Sequence, residues 1–143
     1  MEAKPFIIER TYDTPSVNVW RAITEVEFLQ QWYFNVSEFK PEPGFEFTFV
    51  SEPCEEANVH LCKVTEVVKG KKISYSWRYE GYEGESMVTF ELFAEGKKRT
   101  KLVVTHHGLE TFPRDIVIKK NFAAGWTYLI GTTLKDLLEK MPA

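Results

Sequence analysis

The chain has 143 residues, a length that fits one domain spanning residues 1–143. Its 18 basic and 21 acidic side chains leave a net charge of −3, which excludes the basic surplus expected of a nucleic-acid binder. With 43% hydrophobic residues it can bury roughly 70% of its unfolded surface unaided, and 15% aromatic content exceeds what a minimal core needs, as where a cavity is lined.

"FIIERTY" (Phe6–Tyr12) reads as a β-strand. Thr14 before Pro15 then starts a helix, because proline at the first helical position gives up no needed N–H. Val17, Trp20 and Thr24 share one face of that helix. "TEVE" (Thr24–Glu27) fits a capping box opening a second short helix, with Phe28, Leu29 and Trp32 as its apolar side.

Strands follow. Pro43-Gly44 turns the chain into a run where Phe45, Phe47 and Phe49 alternate onto one face. "NVHLCKVTEVV" and "KISYSWRYE" flank a hairpin tip at Lys69–Lys72, and Ile73, Tyr75, Trp77 and Tyr79 alternate with polar residues. The next hairpin sets Val88, Phe90 and Leu92 opposite Leu102, Val104 and His106. Its tip, "GKKRTK", like Lys69–Lys72, reads as a solvated basic turn.

The period changes at the C-terminus. Phe122, Trp126, Leu129, Ile130, Thr133, Leu137 and Met141 recur at helical spacing. Asn121 and Asp115 are both possible caps, and the β-branched trio Ile116–Ile118 favours the later start. Gly125 and Gly131 each cost about 1 kcal/mol against alanine in a helix, which suggests another surface approaching closely. The expected fold class is α+β: a curved antiparallel sheet of about six or seven strands wrapped around one long C-terminal helix, with two short helices after the first strand. A cavity remains wherever the helix leaves the groove unfilled.

"TYDTPSVNVWRAITEVEFLQQW", with Pro15, Val19, Trp20, Leu29 and Trp32, resembles the opening signature of the activator-of-heat-shock-protein-ATPase homologue-like family, within the START-like (SRPBCC) superfamily. Pro43, Gly44, Phe45 and Phe47, the aromatic strand ending in Trp77, "TKLVVTHHGL" and "GWTYLIGTTLKDLLE" continue it in order along nearly the whole chain. The resemblance implies a helix-grip fold with a pocket between sheet and helix. Superfamily members carry lipids, bind hormones or polyketides, cyclise polyketides or contact chaperones, so fold does not settle function.

Adjacent side chains of a strand point to opposite faces, so His106 and His107 cannot chelate one ion. His106 shares the face of Leu102 and Val104; His107 turns outward. His60 and Cys62 also share a strand face, and Cys54 lies nearby, but no paired metal-ligand spacing accompanies them, and neither a metal nor a cofactor is expected. Nucleophile-elbow and phosphate-loop patterns are absent. Arg10 has the strand parity of Phe6, Ile8 and Tyr12, so its guanidinium would meet a carboxylate or phenolate if that face points inward, or reach outward to water at the edge.

The leading expectation is non-enzymatic binding of a small hydrophobic or amphipathic molecule between sheet and helix. Arg10 and His106 would supply polar contacts, and Phe47, Tyr75, Trp77, Phe90, Val104, Trp126 and Ile130 the walls. The alternatives are a protein-interaction module, through a chaperone contact or a homodimer, and a cyclase- or hydrolase-type enzyme using His106 as acid/base. No apolar run is long enough to span a membrane and no secretory signal opens the chain, so a cytoplasmic location with reduced thiols is expected.

Overall fold

The computed structural model describes residues 5–33, 36–50, 59–115, 117 and 121–141. In chain order these form β1 (Phe6–Tyr12), α1 (Ser16–Thr24), α2 (Val26–Trp32), β2 (Glu46–Val50), β3 (Val59–Val68), β4 (Lys72–Tyr79), β5 (Ser86–Ala94) and β6 (Thr100–His107). A 3-10 turn at Leu109–Thr111 follows, and then the C-terminal helix α3. This helix comprises Phe122–Tyr128, a wider π turn at Leu129–Thr133, and Leu134–Lys140.

The six strands form one antiparallel sheet in the order β1-β6-β5-β4-β3-β2, leaving β1 and β2 at the edges. Strand alternation sends Phe47, Phe49, Cys62, Val64, Tyr75, Trp77, Val88, Phe90, Leu102 and Val104 to the buried face. The β3–β4 register shifts between Val64 and Glu66, an irregularity of the kind that bends a strand and increases twist. Helix α3 lays Trp126 and Ile130 against this face, its last segment, with buried Leu134 and Leu137, packs beside α1 and α2, and the sheet wraps it in a helix-grip arrangement.

The π turn is tied down from two sides. The Tyr12 hydroxyl donates to the Ile130 carbonyl at 2.6 Å, and the Thr133 hydroxyl donates to the Trp32 carbonyl at 2.8 Å. A π turn displaces carbonyls from the α-helical ladder, and these side chains supply or share bonds there. Burial pushes the Tyr12 phenol pKa upward, with nearby Arg10 pulling the other way.

Several local expectations change. Thr24 does not cap α2: it ends α1, and its hydroxyl donates to the Trp20 carbonyl at 2.6 Å. Glu25 precedes α2 instead, with no side-chain cap bond. Val17 is 59% exposed, because α1 buries Val19, Ala22 and Ile23 beside Trp20. The glycines of α3 mark no tight contact: a Cβ on Gly125 would meet nothing within 4 Å, and one on Gly131 would lie 3.7 Å from Arg10 Nε. The later start of α3 holds, with the Asn121 side chain accepting from the Ala124 N–H. Ile116 and Ile118 lie outside the described residues.

Candidate site: an aromatic cluster with a buried imidazole

Eight of the nine residues expected at the site lie together between the sheet and α3. Phe47, Tyr75, Trp77, Phe90, Val104, His106, Trp126 and Ile130 are all buried. The rings contact one another: Phe47 and Tyr75 meet edge-on at 5.1 Å, Tyr75 and Phe90 lie 5.9 Å apart, and Trp126 sits 6.0 Å from both Trp77 and Phe90. Offset and edge-to-face contacts of this kind add roughly 0.5–1.5 kcal/mol per pair beyond area burial.

Arg10 stands apart from this cluster. It shares the alternation of Ile8 and Tyr12, but on an edge strand that parity leads past the flank of α3. Its side chain is exposed, with one guanidinium nitrogen donating to the Glu9 carbonyl at 2.7 Å.

The histidine doublet divides as strand geometry requires. His107 is exposed, whereas His106 is fully buried. The Trp126 indole N–H donates to His106 Nδ1 at 3.0 Å, which makes Nδ1 an acceptor and leaves the proton on Nε2. Nε2 lies 2.7 Å from the Ser86 hydroxyl, and that hydroxyl donates onward to the Trp77 carbonyl at 3.0 Å. One neutral tautomer therefore satisfies every group in the chain Trp126–His106–Ser86–Trp77. A second proton on Nδ1 would displace the indole donor and place a charge among aromatic rings. Burial accordingly pulls the His106 pKa down to about 3, with the neighbouring His107 adding a smaller push.

Two residues of this region carried no signal in the pattern of the sequence. Ser86 shares strand parity with Val88 and Phe90, yet a serine there looks like a strand end. Tyr33 follows the last residue of α2, where no period governs its direction. Its half-buried ring stacks near Trp126 at 6.1 Å and tilts against Phe49 at 5.9 Å. Its hydroxyl meets that of Tyr75 at 2.7 Å. Burial raises both phenol pKa values well above the ordinary range, so both rings are neutral.

His60 and Cys62 do share the buried face, but His60 packs among Phe49, Trp77 and Tyr79 with ring separations of 4.3 to 5.0 Å. Cys62 is a free thiol whose pKa burial pushes up. Cys54 lies outside the described residues. Among the described residues, no three His, Cys, Asp or Glu side chains gather as metal ligands.

The architecture defines a class, a sheet gripping a C-terminal helix across a layer of packed aromatic rings, and known proteins share it. The family model described as "Activator of Hsp90 ATPase homolog 1-like protein" matches residues 13–139, and the chain belongs to that family. A protein of Mesorhizobium loti, MLL2253, superposes with a TM-score of 0.81 at 26% identity, covering 98% of this chain and 100% of the other. BH1534 of Bacillus halodurans gives 0.75 at 23% identity over 96% and 98% of the two chains. An Hsp90 activator from Plasmodium falciparum gives 0.62 at 24% identity over 74% of each. No curated protein matches the chain. Among the described residues, no helix is long and apolar enough to cross a membrane.

Proposed function

We propose that the chain is a non-enzymatic binding domain that takes a small hydrophobic or amphipathic molecule into the groove between the sheet and α3, past Tyr33. One observation carries this reading. Tyr33 is half-buried while its ring spans from the surface to the buried Tyr75 hydroxyl, against Trp126 and Phe49. A flat or chain-like ligand would take the place of that ring, meeting apolar walls and one polar pair, the usual make-up of a small-molecule site. The wall residues named from the sequence, Phe47, Tyr75, Trp77, Phe90, Val104, Trp126 and Ile130, would line it. In this role His106 acts through Trp126 by fixing the indole, and Arg10 lies outside the groove.

Acid/base catalysis by His106 is disfavoured by the same geometry, since both ring nitrogens are engaged by Ser86 and Trp126. A reducing cytoplasm is the compartment assumed, in keeping with the free Cys62 thiol. The test is a thermal-shift screen of fatty acids, long-chain alcohols and flat aromatics on the wild type and on Tyr33→Ala. A ligand selective for the native state must raise the melting temperature. The expected result is a shift that grows when Tyr33 is removed, because the ring no longer competes. No shift with any class on either protein overturns the proposal.

A chaperone-linked or self-associating module is the second reading. It is supported by the family and by the Hsp90 activator among the structural neighbours. Co-purification with a chaperone, or a homodimer in native mass spectrometry, tests it directly.

A further inference from the structure

The two basic turns, separate in sequence, come together in the fold. Lys72 pairs with Glu91 across β4 and β5, so β5 runs on to Ala94 beside the β3–β4 tip. The β5–β6 tip then projects from the same end of the sheet. The start of α1 joins them: Arg99 pairs with Asp13 at 3.2 Å, and the Thr100 hydroxyl donates to the Thr14 carbonyl at 2.9 Å. Lys69, Lys71, Lys97 and Lys98 carry no ion pair among the described residues, while Lys72 is held by Glu66 at 3.2 Å. A chain of net charge −3 thus gathers a positive end.

Between the tips and α1 lies an open groove of about 560 Å³. Val68, Leu92 and Phe93 give it apolar surface, Lys71 and Lys72 form its rim, and Ser16 closes the far side. Val68 and Phe93 are 43% and 47% exposed, and Val17, beside Ser16, is 59% exposed. Apolar surface of this kind, bordered by unpaired Lys71 and with unpaired Lys69, Lys97 and Lys98 on the adjoining tips, matches a partner that brings apolar and acidic groups together.

We propose that this groove docks an acidic segment of another protein, with an apolar side chain of that segment against Val68 and Phe93 and its carboxylates on the free lysines of the two tips. The site is independent of the groove beneath α3. A peptide fits better than an anionic membrane for two reasons. The surface is concave, whereas a bilayer is flat, and Glu91 on the groove wall would face a continuous negative plane, while a peptide places its carboxylates one at a time.

The test uses a fluorescein-labelled peptide with a Leu pair flanked by Asp and Glu, its Asn/Gln counterpart, and vesicles of phosphatidylcholine with phosphatidylserine. Anisotropy measures affinity, and amide shifts of the isotope-labelled protein locate the contact. The acidic peptide is expected to bind at least about tenfold more tightly than its neutral counterpart, and to lose affinity as salt shortens the screening length. Shifts should fall at residues 68–72 and 91–94. Lys71→Glu with Lys98→Glu should weaken binding by about tenfold or more while the melting temperature holds, and Val68→Ser with Phe93→Ser should also weaken it. Absent binding, equal binding of the neutral peptide, indifference to charge reversal, or binding to the vesicles alone would each overturn the proposal. Because these surface variants leave Tyr33 and the aromatic groove untouched, failure here says nothing against the small-ligand reading.

Discussion

Acid should destabilise this protein through His106, and the size of the effect follows from its surroundings. The imidazole ordinarily titrates near 6.5, but in the fold its pKa falls to about 3 because it is buried, with the neighbouring His107 adding a smaller push. The folded value lies below the unfolded one, so between them the unfolded chain binds a proton that the native state refuses. Stability therefore rises with pH across this window, at up to about 1.4 kcal/mol per pH unit. Integrated from about pH 8 to about pH 5, the loss from this one group is about 2 kcal/mol. That is a large share of the roughly 5–15 kcal/mol of a typical domain. Urea unfolding of the wild type and of His106→Gln at several pH values isolates the term, since all other titrating groups are common to both. The variant is less stable at neutral pH, because the Trp126 donor and the aromatic packing are disturbed, but its dependence on pH should be shallower by the stated amount. Parallel pH profiles for the two proteins, or an imidazole resonance of His106 titrating near its ordinary value, would refute the reasoning.

The same network predicts that Ser86→Ala leaves Nε2–H of His106 without its acceptor, at a cost of about 1–3 kcal/mol in denaturant unfolding. The glycines should respond in opposite directions. At Gly84, where φ is +102° and a Cβ would overlap the Thr111 carbonyl, alanine should destabilise by about 2 kcal/mol or more. At exposed Gly125 in α3, with open space around the added methyl, alanine should stabilise by about 0.5–1 kcal/mol in the same assay. Finally, in a Cys54→Ser background, the buried Cys62 thiol should react with a disulfide reagent only as fast as the sheet opens, and urea should accelerate the reaction.

Strand alternation made most of the architecture legible. The parity of Leu102, Val104 and His106, or of Tyr75, Trp77 and Tyr79, depends only on the two-residue period, and the bulge in β3 does not disturb it. Helical faces were less legible. Val17 matched the apolar period of α1 yet is exposed, because the neighbours of a helix decide which arc is buried, and here they select Val19 and Ile23. Thr24 had the right offset from Glu27 for a capping box, but its hydroxyl is used within α1. The network around His106 joins three further elements, with Ser86 on β5 and Trp126 on α3 as its partners and the Trp77 carbonyl on β4 accepting from Ser86, so no local pattern could announce it. The basic end was hidden for the same reason: each lysine turn alone is an ordinary hairpin tip, and only the β4–β5 pairing places one beside the other.

The polar groups of the aromatic cluster also constrain which molecule the proposed site would accept. His106, Ser86 and the Trp126 indole are consumed by one another, and the Trp77 indole donates to the Tyr79 hydroxyl at 2.9 Å. The polar feature left to a ligand that displaces the Tyr33 ring is the Tyr33–Tyr75 hydroxyl pair, which is itself buried, and both phenols are neutral because burial holds their protons on. Such a pair can donate to a carbonyl or exchange bonds with a hydroxyl, but it supplies no positive charge. A buried carboxylate there would lose its hydration without an ion partner, and Arg10 is out on the edge strand beyond α3. The ligand should therefore carry a neutral hydroxyl or carbonyl. Titrating a long-chain alcohol against the corresponding carboxylate near pH 8, with Trp fluorescence as the readout, should favour the alcohol by about tenfold or more. Preference for the carboxylate would refute the placing of the polar end at Tyr33 and Tyr75, and would return Arg10 to the site.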